Sequence, residues 1–186
     1  MSASRPAFQV RHPSRAGAAR TGLLTTDHGV LSTPAFLPVG TYGAVRGLTP
    51  DDLQMIGTQG LLTNTYHLHL RPGEQRVAEL GGLHRFMGWN GPILTDSGGY
   101  QVYSLDRFAT RDEDGVQFRS PVDGSSCRLT PEACVAIQEA LGADLIVTLD
   151  EFEPIDGEAS SESEPRIRSQ MERTLRWAER CRDAQR

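Results

Sequence analysis

Apolar and polar positions alternate with a period of two near the start of the chain, where Phe8 and Val10 are interleaved with Gln9 and Arg11. That spacing predicts strands with one buried face. With Gly22 and Gly29 as punctuation and Leu23, Leu24, Val30 and Leu31 as apolar positions, residues 8–32 read as an antiparallel β-meander, a cap assigned to 1–33. From Pro34 short apolar runs alternate with amphipathic stretches, the signature of βα units around a parallel sheet, so 34–186 is assigned to an α/β unit within one domain spanning 1–186. Strands are expected at 35–39, 60–64, 92–95 and 144–149. Thr49, Pro50, Asp51 and Asp52 mark a helix start, with Leu53 and Ile56 facing the sheet. A second helix begins near Gly73, buries Val77 and Leu80 and ends at Gly81-Gly82; a third opens at Thr130-Pro131-Glu132 and anchors on Ile137 and Leu141. Residues 114–130 read as a β-hairpin insertion turning at Asp123-Gly124. In 166–186, Ile167, Met171, Leu175 and Ala178 fall at helical spacing.

Composition narrows the picture. A chain of 186 residues, 38% hydrophobic and 23% charged, is the size and mix of one globular domain rather than a disordered, collagenous or disulfide-stapled protein. No apolar run approaches the ~20 residues of a membrane span and no secretory pattern opens the chain, so a cytoplasmic location with no membrane partner is expected. Cys127, Cys134 and Cys181 form no CxxC pair, so free thiols are expected and no metal site. All 19 basic residues are arginine, which removes Schiff-base lysines and the phosphate-loop lysine and leaves Asp, Glu or His as general base. The net charge of −5 has the wrong sign for a surface that grips nucleic acid all round. Residues 166–186 hold seven arginines against three acids, a solvated face with an RNA footprint as the alternative. Residues 151–164 hold six acids and no base, a solvated loop without expected function.

The candidate chemistry sits at strand ends, where a parallel sheet presents its working groups. Asp96 follows the apolar run 92–95 and precedes Ser97, Gly98, Gly99, Tyr100 and Gln101: a carboxylate, a hydroxyl, open backbone amides, an aromatic face and a carboxamide, a set that suits a flat polar ligand. The plain alternative is a loop with an Asx-turn. Asp150 follows the next strand and with Asp96 could form a carboxylate pair for glycosidic chemistry, or else merely cap its loop. His67 and His69 share a face if their segment is extended, but without a third ligand they read as packing or hydrogen-bonding residues. Trp89 and Trp177 read as core anchors.

Several blocks occur in order: Ala19-Arg20-Thr21-Gly22, the run from Thr33 to Thr41, Asn64-Thr65-Tyr66-His67-Leu68, Leu70-Arg71-Pro72-Gly73, and Leu94-Thr95-Asp96-Ser97-Gly98-Gly99-Tyr100-Gln101. By these the chain resembles the N-terminal part of the tRNA-guanine transglycosylases, more closely their bacterial branch. The resemblance implies a (β/α)8 TIM barrel, here its first four βα units or half-barrel, and an enzyme that exchanges the wobble guanine of a GUN-anticodon tRNA for a preQ1-type 7-deazaguanine in queuosine biosynthesis. It implies Asp96 as general acid/base, Ser97, Gly98, Gly99 and Gln101 in the base pocket, Tyr100 stacked on the purine and Asp150 accepting hydrogen bonds from its edge. It also implies a homodimer or a complementary half-chain as partner. The family's nucleophilic aspartate and its zinc-binding cysteines and histidine lie beyond the region matched, so zinc is implied only for the C-terminal half and the isolated chain is expected not to catalyse exchange. Phe152 stands where bacterial relatives usually carry a cysteine. The rival readings are a non-catalytic accessory or complementary half-subunit and, last, an unrelated glycoside hydrolase using Asp96 and Asp150.

Overall fold

The computed structural model describes residues 7–105, 109–151 and 164–185. Strands β1 (Ala7–Pro13), β2 (Arg20–Thr26) and β3 (Gly29–Thr33) form an antiparallel sheet in which Phe8 pairs with Leu24 and Leu24 with Leu31. Only β2 and β3 turn side chains inward, Leu31 foremost; β1 is exposed along its length.

The run at 35–39 is shorter as a strand than expected. Pro34 and Pro38 each lack the N–H that a ladder needs, so pairing reduces to one parallel bridge, Val39 with Leu62. Leu62 N–H donates to Pro38 O at 3.0 Å and Gly40 N–H to Leu62 O at 2.7 Å. Helix α1 (Pro50–Met55) starts where the capping residues place it: the Thr49 hydroxyl accepts from Asp52 N–H, and the Asp52 carboxylate accepts from Thr49 N–H. It ends at Met55, so Leu53 is buried but Ile56, expected to face the sheet, is exposed.

Strand β4 (Leu61–Thr63) passes directly into helix α2 (Thr65–Leu70), so His67 and His69 lie on a helix, not on an extended segment, and point to different neighbours. Asn64 caps it, its Oδ1 accepting from His67 N–H at 3.0 Å. Helices α3 (Glu74–Glu79) and α4 (Gly82–Met87) follow; Val77 and Leu83 are buried, while Leu80, expected in the core, is exposed as the C-cap of α3. Strand β5 (Ile93–Thr95) leads through residues 96–98 into helix α5 (Gly99–Leu105). Strands β6 (Thr110–Asp112), β7 (Gly115–Arg119) and β8 (Ser126–Leu129) make a second antiparallel sheet, and helix α6 (Pro131–Leu141) is capped by the Thr130 hydroxyl. Strand β9 (Leu145–Ile146) completes the parallel sheet in the order β4-β5-β9, and helix α7 (Glu164–Ala184) packs against α6. The chain is thus mixed α/β, with three small three-stranded sheets among the described residues.

Strand β9 is far shorter than the expected 144–149, and Gln138 of α6 accounts for it. Its fully buried carboxamide takes the place of a neighbouring strand: Oε1 accepts from Val147 N–H at 3.0 Å and from the Thr95 hydroxyl at 2.8 Å, while Nε2 donates to Val147 O at 2.9 Å and Cys134 O at 3.1 Å. Buried backbone groups need partners, and here a side chain supplies them. Trp89 and Trp177 are buried, with Trp177 Nε1–H donating to Glu113 O at 2.9 Å.

Over its central turns the arginine face of α7 is engaged with carboxylates at the protein surface. Arg173 and Arg176 hold Glu113, Arg173 also holds Glu151 through two contacts of 2.8 Å, and Arg180 holds Glu132 at 2.7 Å. Arg176 and Arg173 together pull the Glu113 carboxyl down to about 2. Of the acidic stretch at 151–164, residues 152–163, Phe152 included, lie outside the described residues. No described helix is long and apolar enough to cross a membrane.

Candidate active site

Three segments leave the parallel sheet at the same end and meet there: the turn from β4 into α2, the turn from β5 into α5, and the segment after β9. Asp96 sits at their centre. Its Oδ2 accepts from Asn64 Nδ2 at 2.6 Å, and its Oδ1 accepts from Thr65 N–H and Gly98 N–H, each at 3.1 Å. The Thr65 hydroxyl also donates to the Asp96 carbonyl. A carboxylate offers roughly four acceptor positions; these three bonds fix its orientation and leave one for a ligand.

Burial raises the Asp96 carboxyl above the ordinary carboxylate range, against the opposing pull of the bonds from Thr65, Asn64 and Gly98. An acid lifted in this way exchanges its proton nearer neutrality, which is what a group that both gives and takes a proton needs. His67 lies close enough to interact electrostatically with Asp96, and its own burial lowers its affinity for a proton. Its ring packs on Tyr42, centroids 4.8 Å apart. Tyr42, His67, Arg71, Leu105 and Val122 line a cleft of about 460 Å³ on that side.

Ser97 ties Asp96's turn to the segment after β9. Its hydroxyl donates to Asp150 Oδ1 at 2.7 Å and accepts from Gly99 N–H at 3.1 Å, and among the described residues no bond reaches Asp150's other oxygen. Gly98 and Gly99 are needed for this close approach. Gly98 has φ +77°, and a Cβ there would stand 2.9 Å from Tyr66 N; a Cβ on Gly99 would stand 2.6 Å from Asp150 O. Asp96, Ser97, Gly98, Gly99 and Asp150 are therefore brought together. Tyr100 and Gln101 lie on the first turn of α5, Tyr100 half-exposed and Gln101 partly buried.

Asn64 and Thr65 belong to the same site and are not among the candidates that the sequence singles out; His67, which the sequence offers as a packing or hydrogen-bonding residue, stands beside them. The signal was present, since polar residues directly following the apolar run 60–63 repeat the arrangement that singled out Asp96. The expected free thiols are observed: Cys127, Cys134 and Cys181 are unpaired, and burial pushes the Cys134 thiol far up, so it stays protonated beside Ser97 O.

Residues 15–186 match the family model described as "TGT: Queuine tRNA-ribosyltransferase". The chain is 55% identical over 175 residues to a queuine tRNA-ribosyltransferase of Thermus thermophilus, covering 93% of this chain and 44% of that protein. It is 49% identical over 180 residues to that of Zymomonas mobilis, covering 97% and 45%, and 51% identical over 177 residues to that of Desulforudis audaxviator, covering 95% and 46%. The chain thus spans less than half the length of these relatives. Over the part it spans, the match is continuous, and the chain belongs to the queuine tRNA-ribosyltransferase family.

Proposed function

We propose that this chain is the proton-transferring and base-recognising part of a tRNA-guanine transglycosylase, a pentosyltransferase that replaces the wobble guanine of a GUN-anticodon tRNA by a preQ1-type 7-deazaguanine. The observation that carries the reading is the corner where Asp96, held by three donors and raised by burial, stands one residue from the Ser97–Asp150 bond.

In this reading the Asp96 acid protonates guanine as it leaves the ribose, and the resulting carboxylate takes a proton from the incoming base, so one group serves both half-reactions. Asn64 Nδ2 and the Thr65 and Gly98 amides keep that carboxylate aimed through both states. Asp150, half-buried and fixed by the Ser97 hydroxyl through one oxygen, offers the other to the N–H donors on the purine edge; an acceptor held in this way disfavours bases that lack the matching donors. Tyr100, half-exposed at the head of α5, stacks on the purine in this reading, and Gln101 beside it belongs to the base pocket. The family's nucleophilic aspartate and zinc site belong to the part of the barrel that these 186 residues do not match, so the chain acts as a half-barrel of about four βα units together with the part of the protein that carries those groups, in the cytoplasm. Phe36, 83% exposed, and Val39, 53% exposed, lie by the Val39 bridge and present an apolar edge for that remainder.

The test is incorporation of labelled guanine into tRNA by purified 1–186. None is expected, because without a carboxylate to capture the ribosyl cation the exchange stalls. Measurable incorporation would overturn this division of labour.

A further inference from the structure

The cleft beside His67 has a lining unlike that of the Asp96–Asp150 corner. Tyr42, in the segment between the Val39 bridge and α1, is 59% exposed, and the His67 ring braces it with 4.8 Å between centroids. Leu70, Leu105 and Val122 give the cleft apolar walls, and Arg71, the exposed C-cap of α2, brings a guanidinium to it. No carboxylate lines it among the described residues. The acid nearest to Arg71 along the chain, Glu74, is held by His69 Nδ1 at 2.7 Å, and among the described residues Arg71 has no carboxylate partner. An uncommitted cation in an acid-free cleft stands out on a chain whose net charge is −5.

We propose that this cleft takes one nucleotide of the RNA strand flanking the exchanged guanine, with its base on the Tyr42 ring and its phosphate on the Arg71 guanidinium. The proposal rests on the reading of Asp96 as the group that serves base exchange. A base that undergoes chemistry is first taken out of its stack, which uncovers a face of its neighbour. Unstacked RNA bases recover that contact on aromatic side chains, and Tyr42 offers an open ring for it. The walls from Leu70, Leu105 and Val122 suit the apolar faces of base and ribose. A guanidinium meets a phosphate with two parallel N–H donors and fixes the strand's position without reading its sequence.

Position and size agree with this occupant. His67 lines the cleft and also interacts electrostatically with Asp96, so the cleft opens beside the carboxylate that the exchanged base meets. Its volume of about 460 Å³ lies in the range that holds a small ligand such as one nucleoside. A free base has neither ribose nor phosphate and gains nothing from Arg71. The cleft therefore favours guanine carried in an RNA strand over guanine in solution.

A stem-loop RNA with a GUN anticodon, carrying 4-thiouridine on one side or the other of the guanine, tests this with the 1–186 chain. Irradiation is expected to cross-link one of the two RNAs to Tyr42 or His67, located by mass spectrometry. Arg71→Gln should weaken RNA binding by about fivefold or more and lower the slope of log affinity against log salt by about 0.7, the loss of one single-strand phosphate contact. Tyr42→Ala should weaken binding by about fivefold or more with the slope unchanged. Both side chains are exposed, so both variants fold. Free-guanine affinity, compared between the unaltered chain and Asp150→Asn, reports the base pocket separately. No RNA binding, no cross-link to either residue, or an unchanged salt slope in Arg71→Gln would overturn the proposal; no guanine binding to the unaltered chain would overturn the reading on which it rests.

Discussion

Gln138→Leu keeps the bulk of a fully buried side chain and deletes the groups that stand in for a strand neighbour. Four partners lose their bonds: Val147 N–H, Val147 C=O, Cys134 C=O and the Thr95 hydroxyl, the last retaining only a 3.4 Å contact to Leu145 O. Each buried polar group left without a partner costs about 1–3 kcal/mol. Val147 lies close enough to the surface for water to recover part of its loss, and leucine gains some apolar burial, so the net expectation is about 2–4 kcal/mol. For a chain of this size that lowers the thermal midpoint by about 5–15 °C. Urea unfolding of the two proteins side by side measures the difference, and hydrogen exchange at Val147 should rise ahead of global unfolding. Because the same segment carries Asp150 three residues later, guanine affinity in the assembled enzyme should fall with it. A loss below about 1 kcal/mol, with Val147 still protected, would refute the assignment of Gln138 as surrogate strand.

Gly99→Ala forces a methyl into the Asp150 carbonyl and should destabilise by about 1–3 kcal/mol while displacing Asp150, read as lost base affinity together with a lower unfolding midpoint; a fully active, equally stable variant would contradict the packing at that turn. Thr49→Ala removes the α1 cap and should cost about 1 kcal/mol by urea unfolding. Glu113, held down to about 2 by Arg176 and Arg173, contributes stability that is present above its usual 4.5 and is lost as pH falls toward 2. Glu113→Gln should therefore flatten the fall in thermal midpoint across that acid window, and an unchanged acid profile would show that α7 is held by other contacts.

The parts of this fold that were legible were the ones set by neighbours in sequence. Thr49 with Asp52, and Thr130 ahead of Pro131, mark helix starts because capping is a local hydrogen bond. Asp96 and Asp150 stand out because a charge directly after an apolar run is visible in one dimension. Strand lengths were not legible: 35–39 and 144–149 look alike in hydrophobicity, but prolines thin the ladder of the first and Gln138 occupies the backbone of the second. The alternating apolar and polar residues of 65–70 resemble a strand, yet Asn64 caps them into a helix. The arginines of α7 looked uncommitted because Glu113, Glu132 and Glu151 are far away along the chain. The same holds for the Ser97–Asp150 bond and for the cleft where Tyr42, Arg71 and Val122 meet, which only the packing of separate elements brings about.

In the proposed mechanism Asp96 moves the proton in base exchange. Joining 1–186 to the remaining C-terminal part of the Thermus thermophilus relative and measuring labelled guanine incorporation into tRNA tests it directly, with Asp96→Asn compared against the unaltered fusion at matched folding by circular dichroism. Exchange is expected in the fusion, with its loss by a factor of about 100 or more in Asp96→Asn. Equal rates in the two folded proteins would contradict it.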